Sequence, residues 1–248
     1  MRAYLAVLIL AIAAPTTGGA QQSLKIHMHA DDGYAADGLF FKPAGSGPFA
    51  ALVLVPDEWG LASAVIDQAK HFAASGYLVV AVDLYRGEVA GDAQKAAQLA
   101  GGLPSERALH DLKAAVAFLT SQANLRPDSI GAVGWSAGGV YVLRLANAVP
   151  QVRAVVMNGC APPADTARLT GLKAAVLGNF AGRDPAAAAP AVQRFQQQLR
   201  ARGIDPDIKI YPDAAHDFER PDLPGFRADD ARDAAARTDK FLALTLNR

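Results

Sequence analysis

Residues Gly134-Trp135-Ser136-Ala137-Gly138 read G-x-S-x-G, with a short apolar run before them and a small-residue helical stretch behind. That setting points to acyl transfer by a serine. A nucleophile elbow needs a strand that stops abruptly, a strained turn that lifts the hydroxyl clear, and a helix that starts at once. Side chains at 134 and 138 would collide with the turn and the neighbouring strand, so both positions call for glycine. A serine hydroxyl is a weak nucleophile at neutral pH. It needs a base within hydrogen-bond reach and an acid that orients the base. Of the five histidines only His216 follows Ser136, and the elbow arrangement runs Ser, Asp or Glu, then His along the chain. Asp184 comes after the apolar run that ends at Leu177, where the acid belongs. Its place before Pro185 is also a helix-start signature. Asp213, close to His216 in the chain, is the rival acid. For the developing oxyanion two amides are needed. Ala137 supplies one at the helix start, and Trp59, in the loop after the run 51–56, is the best candidate for the other.

Strands and helices have to bring these stretches together. Apolar runs at 24–29, 38–41, 51–56, 77–82, 130–135, 152–157, 174–177 and 208–211 read as strands. Amphipathic stretches at 62–74, 106–123, 137–148, 192–202 and 229–244 read as helices. Near-continuous Val/Ala/Leu strands separated by helices indicate an α/β fold whose mostly parallel sheet is covered on both faces. The first two runs have only the turn-rich 31–37 between them, so they form an antiparallel hairpin at the sheet edge. The segment 86–104 is left as a small flap beside the site. No stretch is long enough for a separate lid.

Composition narrows the classes. The chain has 248 residues, enough for one large domain. It is 51% apolar and 19% charged, with 24 basic and 24 acidic residues in no run or stripe, so nucleic acid is not an expected partner. Residues 1–20 read as a signal peptide. Arg2 gives the positive start, 3–14 are apolar but too short to span a bilayer, and Gly18 and Ala20 form a small-residue cleavage site. Cleavage after Ala20 would leave 21–248 as one exported domain, periplasmic or secreted, with no membrane attachment. Cys160 is the only cysteine, so no intramolecular disulfide can form; after an apolar run it reads as a buried small residue. His27 and His29 share one face of a strand, a spacing able to hold a metal, but no third ligand is evident nearby and no metal is expected.

Several segments together resemble the dienelactone hydrolase family: Pro56-Asp57-Glu58-Trp59-Gly60-Leu61, Asp83-Leu84-Tyr85, Gly134 to Gly139, Gly182-Arg183-Asp184, and His216-Asp217-Phe218-Glu219-Arg220. The likeness runs from about residue 25 to the C-terminus. It implies an α/β-hydrolase fold without a large cap, acting on small-molecule esters or lactones with no cofactor. By the same resemblance Ser136 is the nucleophile, Asp184 the acid and His216 the base. Glu58 matches a glutamate that contacts the resting nucleophile, although an acidic residue in a helix's first turn is also favoured by the helix dipole. Arg220 matches an arginine that grips the substrate carboxylate, a task its two parallel N–H groups suit. Arg86 resembles a second such arginine but falls one residue early. Tyr85, with Trp59 and Trp135, is a candidate pocket lining.

The chain departs from the family twice. The best-known members use cysteine where this chain has Ser136, and serine favours ordinary histidine-assisted esterase chemistry. Those members also work in the cytoplasm, so an exported homologue would meet another substrate. Two alternatives stay open: a catalytically silent binding protein on this fold, and a peptidase or amidase built on the same elbow.

Overall fold

The computed structural model describes residues 23–29 and 35–247. The expected leader at 1–20 lies outside them. Eight strands form one sheet in the order β1-β2-β4-β3-β5-β6-β7-β8. They are β1 Ser23–His29, β2 Ala35–Phe41, β3 Phe49–Val55, β4 Tyr77–Asp83, β5 Leu125–Trp135, β6 Val152–Asn158, β7 Ala175–Ala181 and β8 Asp207–Tyr211. The first two pair antiparallel, β2 pairs antiparallel with β4, and every later pair is parallel. The edge hairpin and the parallel body are as expected.

The reason lies in how each central strand is buried. Every residue of β3 from Ala50 to Val55 is inaccessible. Successive side chains point to opposite faces. Ala51, Val53 and Val55 join one core, while Ala50, Leu52 and Leu54 join the other. In β4 the same split separates Leu78, Val80 and Val82 from Tyr77, Val79 and Ala81. A strand of this kind needs a helix on each side. The helices α3 Ser105–Thr120, α4 Ala137–Ala148 and α5 Ala189–Arg200 cover the first face. On the second lie α1 Ser63–Ala74 and α6 Ala228–Leu246, through residues such as Val65, Phe72 and Leu242.

The segment read as a flap differs from expectation. Its middle is a helix, α2 Ala93–Gly102, with Asp92 as N-cap accepting from the Lys95 amide at 2.8 Å. The stretch is rich in alanine and ends in two glycines, so its apolar stripe is thin. Only Ala96 and Leu99 are buried.

The strand order reverses between β3 and β5. In open α/β sheets the crevice at the carboxyl ends of such a pair is where ligands bind. Here the loop after β3 carries Asp57, Glu58 and Trp59, and the turn after β5 is Ser136. No cap domain covers this crevice among the described residues.

Candidate active site

The elbow owes its shape to glycine. Ser136 has φ 48° and ψ −123°, left-handed backbone that a non-glycine residue holds only under constraint, at a cost of order 1–3 kcal/mol. Its amide donates to the Asn158 carbonyl at 3.0 Å, and its carbonyl accepts from the Gly139 amide at 3.0 Å. A Cβ on Gly134 would sit 2.2 Å from the Gly138 carbonyl oxygen; one on Gly138 would sit 2.4 Å from that of Val55. Both clashes are with backbone, so neither position can yield by turning a side chain. The collisions expected from the sequence are therefore the ones found.

Three side chains from distant stretches meet at this turn. Ser136 Oγ lies 2.9 Å from His216 Nε2, and His216 Nδ1 lies 2.7 Å from Asp184 Oδ2. The chain brings His216 there on the loop after β8 and Asp184 on the loop after β7. Asp184 is buried at 6% exposure. Its second oxygen, Oδ1, accepts from the Ala186 amide at 2.9 Å and caps the short 3₁₀ turn Pro185–Ala187. The helix-start reading and the acid reading of Asp184 are thus compatible in one carboxylate. The rival, Asp213, pairs instead with Arg183 Nη2 at 2.6 Å on the surface.

Burial alone would push the His216 pKa down. The hydrogen bond and charge of Asp184, helped by the charges of Asp217 and Glu58, outweigh it, and the net shift is upward. Glu58 Oε1 stands 3.9 Å from His216 Nε2. One ligand atom each from Glu58, His216 and Asp217 falls within 4.8 Å of the others. Asp217 is a site residue that the sequence reading passed over, although it adjoins the histidine.

Ala137 opens α4, where the first amides of a helix have no carbonyl partner within it. The Trp59 amide is different from expectation. It donates to Asp57 Oδ1 at 3.0 Å, so it is not free to receive an oxyanion unless that bond yields. Asp57 is itself 4% exposed, and burial raises its pKa to about 6 against the opposing pull of Arg220.

Arg220 also corrects its expectation. Its Nε and Nη2 grip Asp222 at 2.9 and 2.7 Å, its Nη1 donates to Asp57, and its guanidinium carbon lies 5.5 Å from the centre of the Trp59 ring. At 8% exposure it is an internal tie rather than an open fork for a ligand. Arg86 donates from Nη2 to the buried Asp111 at 2.9 Å. It lines a separate hollow with Lys25, His27, Asp83 and Glu88 rather than the one beside Ser136. A substrate carboxylate would have to break internal ion pairs to reach Arg220, and Arg86, whose side chain is partly exposed, faces the other hollow. Tyr85 is buried at 5%, close enough to feel the charge of Glu58. Trp135 is half-buried and donates its indole N–H to Glu219.

The geometry is that of a hydrolase elbow, and the chain as a whole agrees. A model of the dienelactone hydrolase family matches residues 36–246. The chain belongs to the dienelactone hydrolase family. A protein of Methylorubrum extorquens named "Putative carboxymethylenebutenolidase" is 29% identical over 211 residues, covering 79% of this chain and 72% of its own. Among solved structures, a dienelactone hydrolase-like promiscuous phosphotriesterase from metagenomic libraries superposes with a TM-score of 0.81 at 20% identity, covering 92% of this chain and 99% of that one. Acylaminoacyl peptidase of Pyrococcus horikoshii shares the fold at a TM-score of 0.69 and 15% identity. The match covers 92% of this chain but only 42% of the peptidase. At such identities the structural likenesses speak to fold alone. Membership of the hydrolase family rests on the family match and the curated relatives.

Proposed function

We propose that this hydrolase cleaves carboxylic ester or lactone bonds through a serine acyl-enzyme. What carries the reading is the pair of contacts on one imidazole, 2.9 Å to Ser136 Oγ and 2.7 Å to Asp184 Oδ2. With Nδ1–H donated to Asp184, the Nε2 lone pair faces the hydroxyl. His216 takes the Ser136 proton as Oγ bonds to the carbonyl carbon. The oxyanion then falls to the Ala137 amide first, since the Trp59 amide is already engaged by Asp57. His216 returns the proton to the departing alkoxide as the C–O bond breaks. It next takes a proton from water as the water oxygen bonds to the acyl carbon, and gives that proton to Ser136 Oγ as the acyl–Oγ bond breaks and the acid leaves. No step needs a cofactor or a metal. Glu58 adds negative charge beside the imidazolium that forms midway.

The peptidase alternative gains nothing from its structural neighbours, which carry more than half of their length outside the shared fold. A silent binding protein would have no need of all three side chains in contact. The reading is tested with the Ser136→Ala variant on a short-chain p-nitrophenyl ester. Turnover is expected to fall by about 10³-fold or more, and an unchanged rate would reject the nucleophile.

We also propose export, on the charged start and apolar run of residues 1–14. Protein recovered from the periplasm or medium should begin at Gln21. A full-length N-terminus there would sink this part.

A further inference from the structure

The charges beside the hydroxyl are distributed unevenly. Glu58 and Asp217 are partly exposed and flank the imidazole, and Asp217 lines the same hollow as Ser136 and His216. Asp184 lies behind them, and its charge is matched only while His216 is protonated. Arg220 lines that hollow too, but it is bracketed by two carboxylates, Asp57 and Asp222, so that group is negative on balance when Asp57 is ionised. Arg86 is paired with Asp111 and belongs to another hollow, where Asp83 and Glu88 also sit. Glu219, at the back of the hollow, is held mostly neutral by burial, with its pKa raised to about 8.

A substrate carboxylate entering here would meet like charge from Glu58 and Asp217, and the one guanidinium lining the hollow, that of Arg220, is buried and already held by two carboxylates. A cationic group would meet the opposite. We infer that the site discriminates by substrate charge, turning over neutral and cationic esters and rejecting those that bear a carboxylate, with Glu58 and Asp217 as the discriminating residues. This rests on the ester-hydrolase reading above and narrows its substrate class. Like charge at close quarters costs both binding and encounter rate, and the effect weakens as salt screens it.

The test uses three p-nitrophenyl esters with acyl chains of equal length, ending in a carboxylate, a methyl ester or a trimethylammonium group. The shared leaving group gives one readout, and each kcat/KM, after subtraction of background hydrolysis, is divided by that ester's own hydroxide-catalysed rate constant so that differences in intrinsic reactivity cancel. For the purified protein at low ionic strength, kcat/KM is expected to fall in the order cationic, neutral, anionic, with about tenfold or more between the extremes. The spread should shrink in 0.5 M salt. It should also shrink in Asp217→Asn and Glu58→Gln, each ratio being read against the neutral ester in the same variant so that a general loss of rate cancels. An anionic ester hydrolysed as fast as the neutral one would overturn the inference while leaving the hydrolase reading intact. If the folded protein turned over none of the three, the hydrolase reading itself would fail and this inference with it.

Discussion

Asp184 shows how one carboxylate can serve the local chain and the site together. One oxygen caps a 3₁₀ turn and the other holds His216, so the loop that fixes the acid is itself fixed by the acid. His216 then has three negative neighbours, Asp184, Asp217 and Glu58, and their sum raises its pKa despite burial. On the proposed mechanism His216 must be neutral to accept the Ser136 proton. A raised pKa keeps it protonated to higher pH, so activity is lost sooner as pH falls. The acid limb of kcat/KM is therefore expected above the ordinary imidazole range, and Asp217→Asn should move it to lower pH. A pH-rate profile of both proteins checks this; an identical limb in the variant would contradict it. The meeting of Ser136, His216 and Asp184 was legible because their order and spacing follow from strand-turn-helix logic. The influence of Asp217 was not, because adjacency in a chain does not reveal which way a side chain turns.

At the scale of elements, the β3–α1 loop is held from across the chain. Arg220, on the loop after β8, ties down Asp57, whose other oxygen fixes the Trp59 amide. Removing the guanidinium leaves a buried carboxylate without its partner. Arg220→Ala should lower stability by about 3 kcal/mol, and adding Asp57→Asn should recover part of it. Urea unfolding of the single and double variants measures both, and strict additivity of the two losses would show that the pair is not coupled. An open substrate grip at Arg220 was a fair expectation from its place four residues past His216. What overrode it was Asp222, two positions on, which takes Nε and Nη2, together with an acid 163 positions away that takes Nη1; no local pattern encodes the second contact. The helices with a full apolar stripe, such as α4 and α6, were readable in the sequence; α2, with two buried side chains, was not.

Across the whole molecule, two cores sandwich the sheet, and the site sits where their covering helices leave the carboxyl ends open. Behind it, Glu219 keeps Oε1 away from solvent and, among the described residues, without a hydrogen-bond partner. Burial raises its pKa from 4.5 to about 8, against the opposing hydrogen bond from Trp135. A carboxyl whose folded pKa is raised binds its proton more tightly in the folded state. Its contribution is fully present below the unfolded value and is lost as pH climbs through the folded one. Glu219→Gln should therefore match wild type at pH 4 and exceed it at pH 9 by about 2 kcal/mol. Unfolding in urea at the two pH values decides this, with equal stabilities at pH 9 as the contrary result.

The central claim is that Ser136 is an activated nucleophile, and a fluorophosphonate probe addresses it directly. Its phosphorus should bond to Ser136 Oγ as fluoride leaves and His216 takes the proton. Intact-mass measurement should show one adduct per chain, mapped by peptide analysis to Ser136, and none in Ser136→Ala. A folded wild-type protein that stays unlabelled, or carries its label elsewhere, would contradict the account.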